Sequence, residues 1–184
     1  MPKAGSTMRL GIDITALPPQ TFGAANYILN LVQSLLRSDA TNEYVIFTKP
    51  LHAPLFDSTR ARIVQSALPS PFLRIAWEQT ALPLLARQQR LDLLHSPHYT
   101  MPLAKSCRAV VTFHDMTFFL YPEVHLRYKR LFFRAMIPWS ARRADALIAI
   151  SHSTRADILR ILQTPPDQVI AIPYGIAPQF QPIP

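Results

Sequence analysis

Cysteine, glycine and glutamate are scarce in this 184-residue chain, with one, four and three copies, and each scarcity narrows what the chain can be. The lone Cys107 cannot close an internal disulfide, which suits a reducing cytoplasm. A dinucleotide fingerprint needs three glycines, for a tight turn, close backbone approach to phosphate and helix packing. Gly11 and Gly23 lack that spacing, so a nicotinamide dehydrogenase is disfavoured. No Gly-Lys-Ser/Thr loop, no Asp-x-Asp pair and no Gly-x-Ser-x-Gly elbow occurs, which argues against the common nucleotide triphosphatases and the serine hydrolases. Apolar residues come in short runs and none reaches the length of a membrane-spanning helix. Residues 1–7 lack the apolar middle of a signal peptide. They read either as a short flexible lead or as sequence ahead of a late natural start at Met8, and export is not expected.

What is present is a folded core. At 49% hydrophobic residues the chain can bury the interior of one domain. Nineteen Lys and Arg against eleven Asp and Glu leave a net charge of +8, which favours anionic partners. Nucleic acid is not expected among them, because no stacking motif or recognition helix accompanies the charge. The densest basic stretch, Arg127, Lys129, Arg130 and Arg134, is interleaved with Tyr128, Leu131, Phe132, Phe133 and Met136. It reads as an amphipathic helix with a solvated basic face; peripheral contact with an anionic membrane is the alternative.

Short apolar runs at 8–14, 44–48, 61–65, 91–95, 108–113, 144–150 and 168–172 read as strands. Helical periods fall at 23–37, 73–90, 125–142 and 151–162, with Pro83 and Pro138 expected to kink or break theirs and Ser151 or Ser153 expected to cap the last. An aromatic loop is expected at 117–122. Alternation of strands and helices implies an α/β, doubly wound domain with a mostly parallel sheet covered on both faces. The proline-rich segment 174–184 reads as a linker.

In such a sheet ligands bind outside the carboxyl ends of the strands. The residues there are Asp13 with the 15–23 loop, then His95, Ser96 and His98, then His114 and Asp115, then Ser151, then Tyr174 and Gly175. Three of the six histidines fall on this edge. The convergence makes His114, at the end of Arg108–Phe113, the first candidate for chemistry, against the plain alternative of a strand cap. Read as metal ligands, His95, His98, His114 and Asp115 lack the spacing of a zinc enzyme. Helix capping is the plainer reading of Ser151, and packing with a solvated carboxylate that of Trp77, Glu78 and Gln79. Gly23, Ala24, Ala25 and Asn26 open the first helix, where free amides and the helix dipole favour phosphate.

Taken in order and spacing, Gly11–Asp13, Gly23–Tyr27, Trp77–Gln79, His95–Tyr99, Val111–Asp115 with Tyr121–Glu123, Ala141–Asp145, Ile150–Ser153 and Ile172–Ile176 are similar to the N-terminal half of family 4 glycosyltransferases, above all the mannosyltransferase-like members. The resemblance implies a GT-B architecture of two Rossmann-like domains and transfer from a nucleotide sugar with retention, with no cofactor and no metal. It implies residues 8–173 as the domain that binds a glycan or lipid-linked acceptor, and His114, with Asp115 beside it, as the catalytic histidine near the transferred carbon. It also places Gly23 to Asn26 near the donor phosphates and acceptor. The acceptor pocket is expected among Asp13, His95, His98, Tyr99 and Ser151. Two positions depart from the family pattern: Ala25 replaces a loop glycine, and Tyr174 replaces the Asn of Pro-Asn-Gly. The family's glutamate pair, seven residues apart, has no counterpart among Glu43, Glu78 and Glu123, so the donor-binding C-terminal domain is expected elsewhere.

Three classes therefore compete. The first is half of a retaining glycosyltransferase, inactive alone, whether excised or one subunit of a split enzyme. The second is a non-catalytic binding or assembly module on the same fold. The third is a small α/β hydrolase or metal enzyme using the histidine cluster.

Overall fold

A computed structural model describes residues 7–20 and 22–176 of the chain. Seven strands form one sheet in which every pairing is parallel: β1 (Arg9–Asp13), β2 (Glu43–Thr48), β3 (Ala61–Gln65), β4 (Leu93–Ser96), β5 (Arg108–Phe113), β6 (Ala146–Ala149) and β7 (Val169–Ala171). The order is β3-β2-β1-β4-β5-β6-β7, so the direction of winding reverses between β1 and β4. That reversal opens the crevice in which doubly wound sheets hold ligands. The expected mostly parallel sheet is thus wholly parallel.

Alternation along the strands explains how both faces are covered. In β2, Tyr44 and Ile46 pack with Ile12 and with Ile28, Val32 and Leu36 of α1 (Ala24–Ser38), while Val45 and Phe47 pack with Leu82 and Ala86 of α2 (Pro71–Gln88). Successive residues therefore feed opposite helical layers. Burial of a side chain such as Phe47 or Phe113, each 0% exposed, contributes about 2 kcal/mol. Gly11 lets β1 pass close to that second layer: a Cβ there would stand 2.3 Å from Leu91 Cδ1.

Several expectations are corrected. Pro83 and Pro138 lie inside unbroken helices, α2 and α4 (Arg127–Arg143). Each proline forfeits one backbone bond, but its neighbours, Leu82 and Ala86 or Ile137 and Ala141, are at most 1% exposed, and their packing outweighs the loss. The segment expected as an aromatic loop contains a single helical turn, α3 (Thr117–Leu120), and a 3-10 turn at Pro122–Val124. α5 (His152–Leu162) starts at Ser151, not Ser153: the Ser151 hydroxyl accepts from Thr154 N at 3.0 Å. Of the lead at 1–7 and the linker at 174–184, residues 1–6 and 177–184 lie outside the described residues.

Candidate active site

Strand register brings the histidines together. Ile12 is paired with His95 and His95 with Val110, so the three side chains share the α1 side of the sheet, and alternation puts Thr112 and His114 there too. His95 Nε2 lies 2.9 Å from Thr112 Oγ1. His114 Nε2 lies 2.8 Å from the carbonyl of Pro97, and its Nδ1 lies 2.7 Å from the hydroxyl of Tyr174. Rings enclose the His114 imidazole: Tyr27 from α1 at 5.5 Å, Tyr99 at 5.6 Å and His98 at 5.9 Å between centroids. The backbone carbonyl of His114 accepts from Thr154 Oγ1, which in turn meets Ser151 Oγ at 3.0 Å. His95, His98, Tyr99, His114 and Ser151 are therefore one connected group.

Burial keeps the imidazoles uncharged. It lowers the His95 pKa to about 4 and that of His98 to about 3, with His114 adding to both effects. His114 is also lowered, chiefly by burial, against the opposing pull of the Pro97 carbonyl and Asp115. At neutral pH the cluster offers neutral hydrogen-bonding rings.

The two aspartates are engaged in local turns. Asp115 Oδ1 accepts from both Thr117 N at 2.9 Å and Thr117 Oγ1 at 2.6 Å, which starts α3. Asp13 Oδ1 does the same with Thr15, at 3.0 and 2.7 Å, and Asp57 with Thr59 in a loop remote from β5. An Asp-x-Thr turn of this kind satisfies backbone donors wherever it occurs. Asp13 has the opposite orientation to Ile12 and so faces α2, away from His114.

Among the described residues the α1 terminus carries neither a capping side chain nor an acidic residue in its first turn. Gly23 precedes it with φ 51° and ψ −119°, a conformation that strains any residue with a Cβ. Asn26 is exposed and Ala24 half-buried, while Ala25 is turned into the core with Ile12, Ile14 and Leu17. The methyl of Ala25 therefore does not stand over the exposed helix start.

On the α2 side lies a group the sequence reading missed. Glu78 is 1% exposed rather than solvated; it forms an ion pair with Arg74 and accepts from Thr100 Oγ1 at 3.0 Å and Gln79 Nε2 at 2.8 Å. Burial raises the Glu78 carboxyl while Arg74 opposes the rise; Asp13 behaves likewise, with Thr15 and Lys49 also opposing it. The Arg74–Glu78 spacing was a readable signal of a pair, though not of its burial. Tyr27 was likewise missed as a neighbour of His114, whereas Tyr174, expected on the same edge, bonds to it. Among the described residues no three His, Cys, Asp or Glu side chains gather as a metal site would require. A concavity of about 720 Å³ lies at the opposite, amino edge of the sheet, but its Arg9 is paired with Glu43 and its Arg60 with the carbonyls of Leu36 and Asp39.

The family model described as Glycosyltransferase Family 4 matches residues 22–180. The chain belongs to that family. Over 90 residues, 49% of this chain and 23% of the relative, it is 26% identical to the O-antigen chain mannosyltransferase B of Escherichia coli. Among solved structures it resembles HepE of Anabaena in complex with UDP-glucose, with a TM-score of 0.60 and 15% identity over 92% of this chain and 44% of that one. It also resembles a putative UDP-N-acetylglucosamine 2-epimerase of Listeria monocytogenes, with a TM-score of 0.61 and 8% identity over 89% and 44%. A putative epimerase shares this fold, so the fold alone names no reaction; the family match is what marks this domain as a glycosyltransferase domain. The chain spans less than half the length of these relatives and supplies the N-terminal, Rossmann-like half of a GT-B architecture.

Proposed function

We propose that this chain is the acceptor-binding domain, residues 8–173, of a retaining glycosyltransferase that moves a hexosyl group, of mannose type, from a nucleotide sugar to a glycan or lipid-linked acceptor. The carrying observation is the enclosure of a neutral His114 at the carboxyl end of β5 by Tyr27, the first-turn tyrosine of an α1 whose N-cap residue, Gly23, has no side chain to cap it. Those two features provide what the transfer needs from one wall of the site. The α1 start at Gly23–Asn26, where Ala25 N already donates to Phe22 O at 3.0 Å, leaves its other first-turn amides and its dipole to favour the diphosphate, whose charge grows as the bond to the anomeric carbon breaks. A neutral imidazole at this edge adds no charge beside the developing oxocarbenium. His95, His98, Tyr99 and Ser151 line the same group, and Asp115 acts through the α3 turn; Asp13 reaches the acceptor only from the α2 side. The reading invokes no metal, no other cofactor and no nucleic acid.

A second domain, covalently continuous or supplied as a split subunit, would hold the nucleotide. With it in place, His114→Ala is expected to lower kcat/KM about 100-fold or more while leaving the fold intact. Steady-state transfer assays with circular dichroism check this, and unchanged transfer removes His114 from the reaction. Failure of every candidate C-terminal domain to restore transfer would favour the non-catalytic assembly module.

The basic helix supports a place at the inner, anionic face of a membrane. Val124, Leu126, Tyr128 and Leu131 are 69%, 60%, 55% and 76% exposed, beside the exposed cations Arg127, Lys129 and Arg134. Apolar side chains left in water among cations match a charged lipid surface better than a merely solvated face. No described helix is long and apolar enough to cross a membrane. Vesicle flotation is expected to recover the chain with anionic lipid and not with neutral lipid, and to lose it on Leu131→Glu.

A further inference from the structure

Tyr174 lies three residues beyond the end of β7 and sixty residues from His114 in sequence, yet their side chains meet. The chemistry of the three groups dictates who donates. A carbonyl only accepts, so the Nε2 that faces Pro97 O carries the hydrogen. In a neutral imidazole Nδ1 is then a bare acceptor, and the Tyr174 hydroxyl at 2.7 Å must donate to it. The Tyr174 ring is itself held, packed at a 31° tilt against Tyr27 with 4.4 Å between centroids. Tyr174, 40% exposed, thus places one fixed donor at the only ring nitrogen of His114 with a free lone pair.

We propose that Tyr174 is a positioning residue for His114, its hydroxyl fixing the plane of the imidazole and the Nε2–H tautomer. Protonation of Nδ1 would force the hydroxyl to turn away, so the contact also opposes the cation. The Tyr174 hydroxyl stays protonated, its own pKa pushed up to about 12 by burial and by Tyr27 and Asp115. The other groups facing His114 are known from each element around it. Asp115 and the Pro97 carbonyl favour the cation; His95 and His98, from β4 and the loop beyond it, are neutral. Tyr27 and Tyr99 present ring carbons or edges, and the Thr154 hydroxyl of α5 is committed to the His114 carbonyl. Among the described residues, only Tyr174 donates to the ring.

The functional weight of the contact rests on His114 facing the transferred sugar, but its test requires neither donor nor second domain. In long-range 1H–15N NMR of the chain, with His114 assigned through ring-to-backbone connectivity, the neutral ring is expected to show a protonated Nε2 and a bare Nδ1. Tyr174→Phe keeps the ring packed against Tyr27 and removes only the donor. It is expected to raise the His114 midpoint by about 0.5–1 in pKa, a three- to tenfold change in the protonation equilibrium. Tyr27→Phe is expected to leave that midpoint in place. An unchanged or lowered midpoint in Tyr174→Phe, an equal rise in Tyr27→Phe, or a protonated Nδ1 in the parent chain would overturn the proposal. None of these results touches the transfer assay with His114→Ala, so the two readings fail separately.

Discussion

On the α1 side of the sheet, buried or half-buried His95, His98 and His114 lie with Tyr27, Tyr99 and the partly exposed Tyr174; on the α2 side, buried Asp13 and Glu78 lie with half-buried Lys49 and Arg74 and with Thr100 and Gln79. Both groups sit near the carboxyl edge, yet they meet the cost of desolvation in different ways. The first discards charge: every imidazole is pushed toward its neutral form, with His95 and His114 bonded to a hydroxyl or a carbonyl and His98 packed against neighbouring rings. The second keeps charge and pairs it, with Arg74 between Asp13 and Glu78 and the Lys49 ammonium donating to Leu17 O at 2.9 Å. A neutral group can rearrange its hydrogen bonds around an arriving sugar at little cost. A buried ionic group cannot release a partner without stranding a charge. The difference separates a surface suited to exchange ligands from a brace that fixes α2 against the 99–103 segment through Thr100, Met101 and Leu103.

The comparison is broken hardest at Glu78. Glu78→Leu leaves the Arg74 guanidinium buried without its carboxylate and is expected to cost about 3 kcal/mol in urea denaturation. Arg74→Met combined with Glu78→Leu is expected to recover part of that loss and not all, since Asp13 then keeps only Lys49 as a nearby cation. A full additive loss would mean the two residues do not act as a pair.

Acid sharpens the contrast at a similar or smaller scale. A histidine whose folded pKa lies below its unfolded value is stabilising above about pH 6.5, and that contribution drains away as pH falls toward the folded value. For His95, with a folded value of about 4, the loss between pH 7 and 4 is about 3 kcal/mol at most. The raised carboxyls of Asp13 and Glu78 act with the opposite sign: their cost is present above the ordinary carboxylate range and is relieved on protonation. Stability measured from pH 7 down to 4 should therefore fall, and His95→Asn should flatten the fall. A flat profile in the parent chain would mean that the imidazoles are not desolvated.

Much of the frame could be read from the sequence because it is set by local pattern. Arg108–Phe113 is apolar and ends on His114, and the strand stops where expected; Ser151 precedes an apolar helical period and caps it. The misses have particular causes. Thr117–Leu120 looked like a loop, but the Asp115 side chain supplies the cap that one helical turn needs. Pro83 and Pro138 looked like breaks, but their neighbours are anchored in the core. Glu78 looked solvated because a carboxylate on a helical pattern is ordinarily exposed; what buries it is the 99–103 segment, more than twenty residues on.

Periodicity, strand ends and the family's ordered motifs, all of them local, were enough to determine a parallel α/β sheet and the edge where its polar residues collect. Tertiary structure alone decided which of those residues meet and in what ionisation state. Register put His95 and His114 on the α1 side and Asp13 on the other, and the chain beyond β7 brought Tyr174 to the His114 ring. Hydrogen-bond partners and desolvation depend on neighbours distant in sequence, and no local pattern records them.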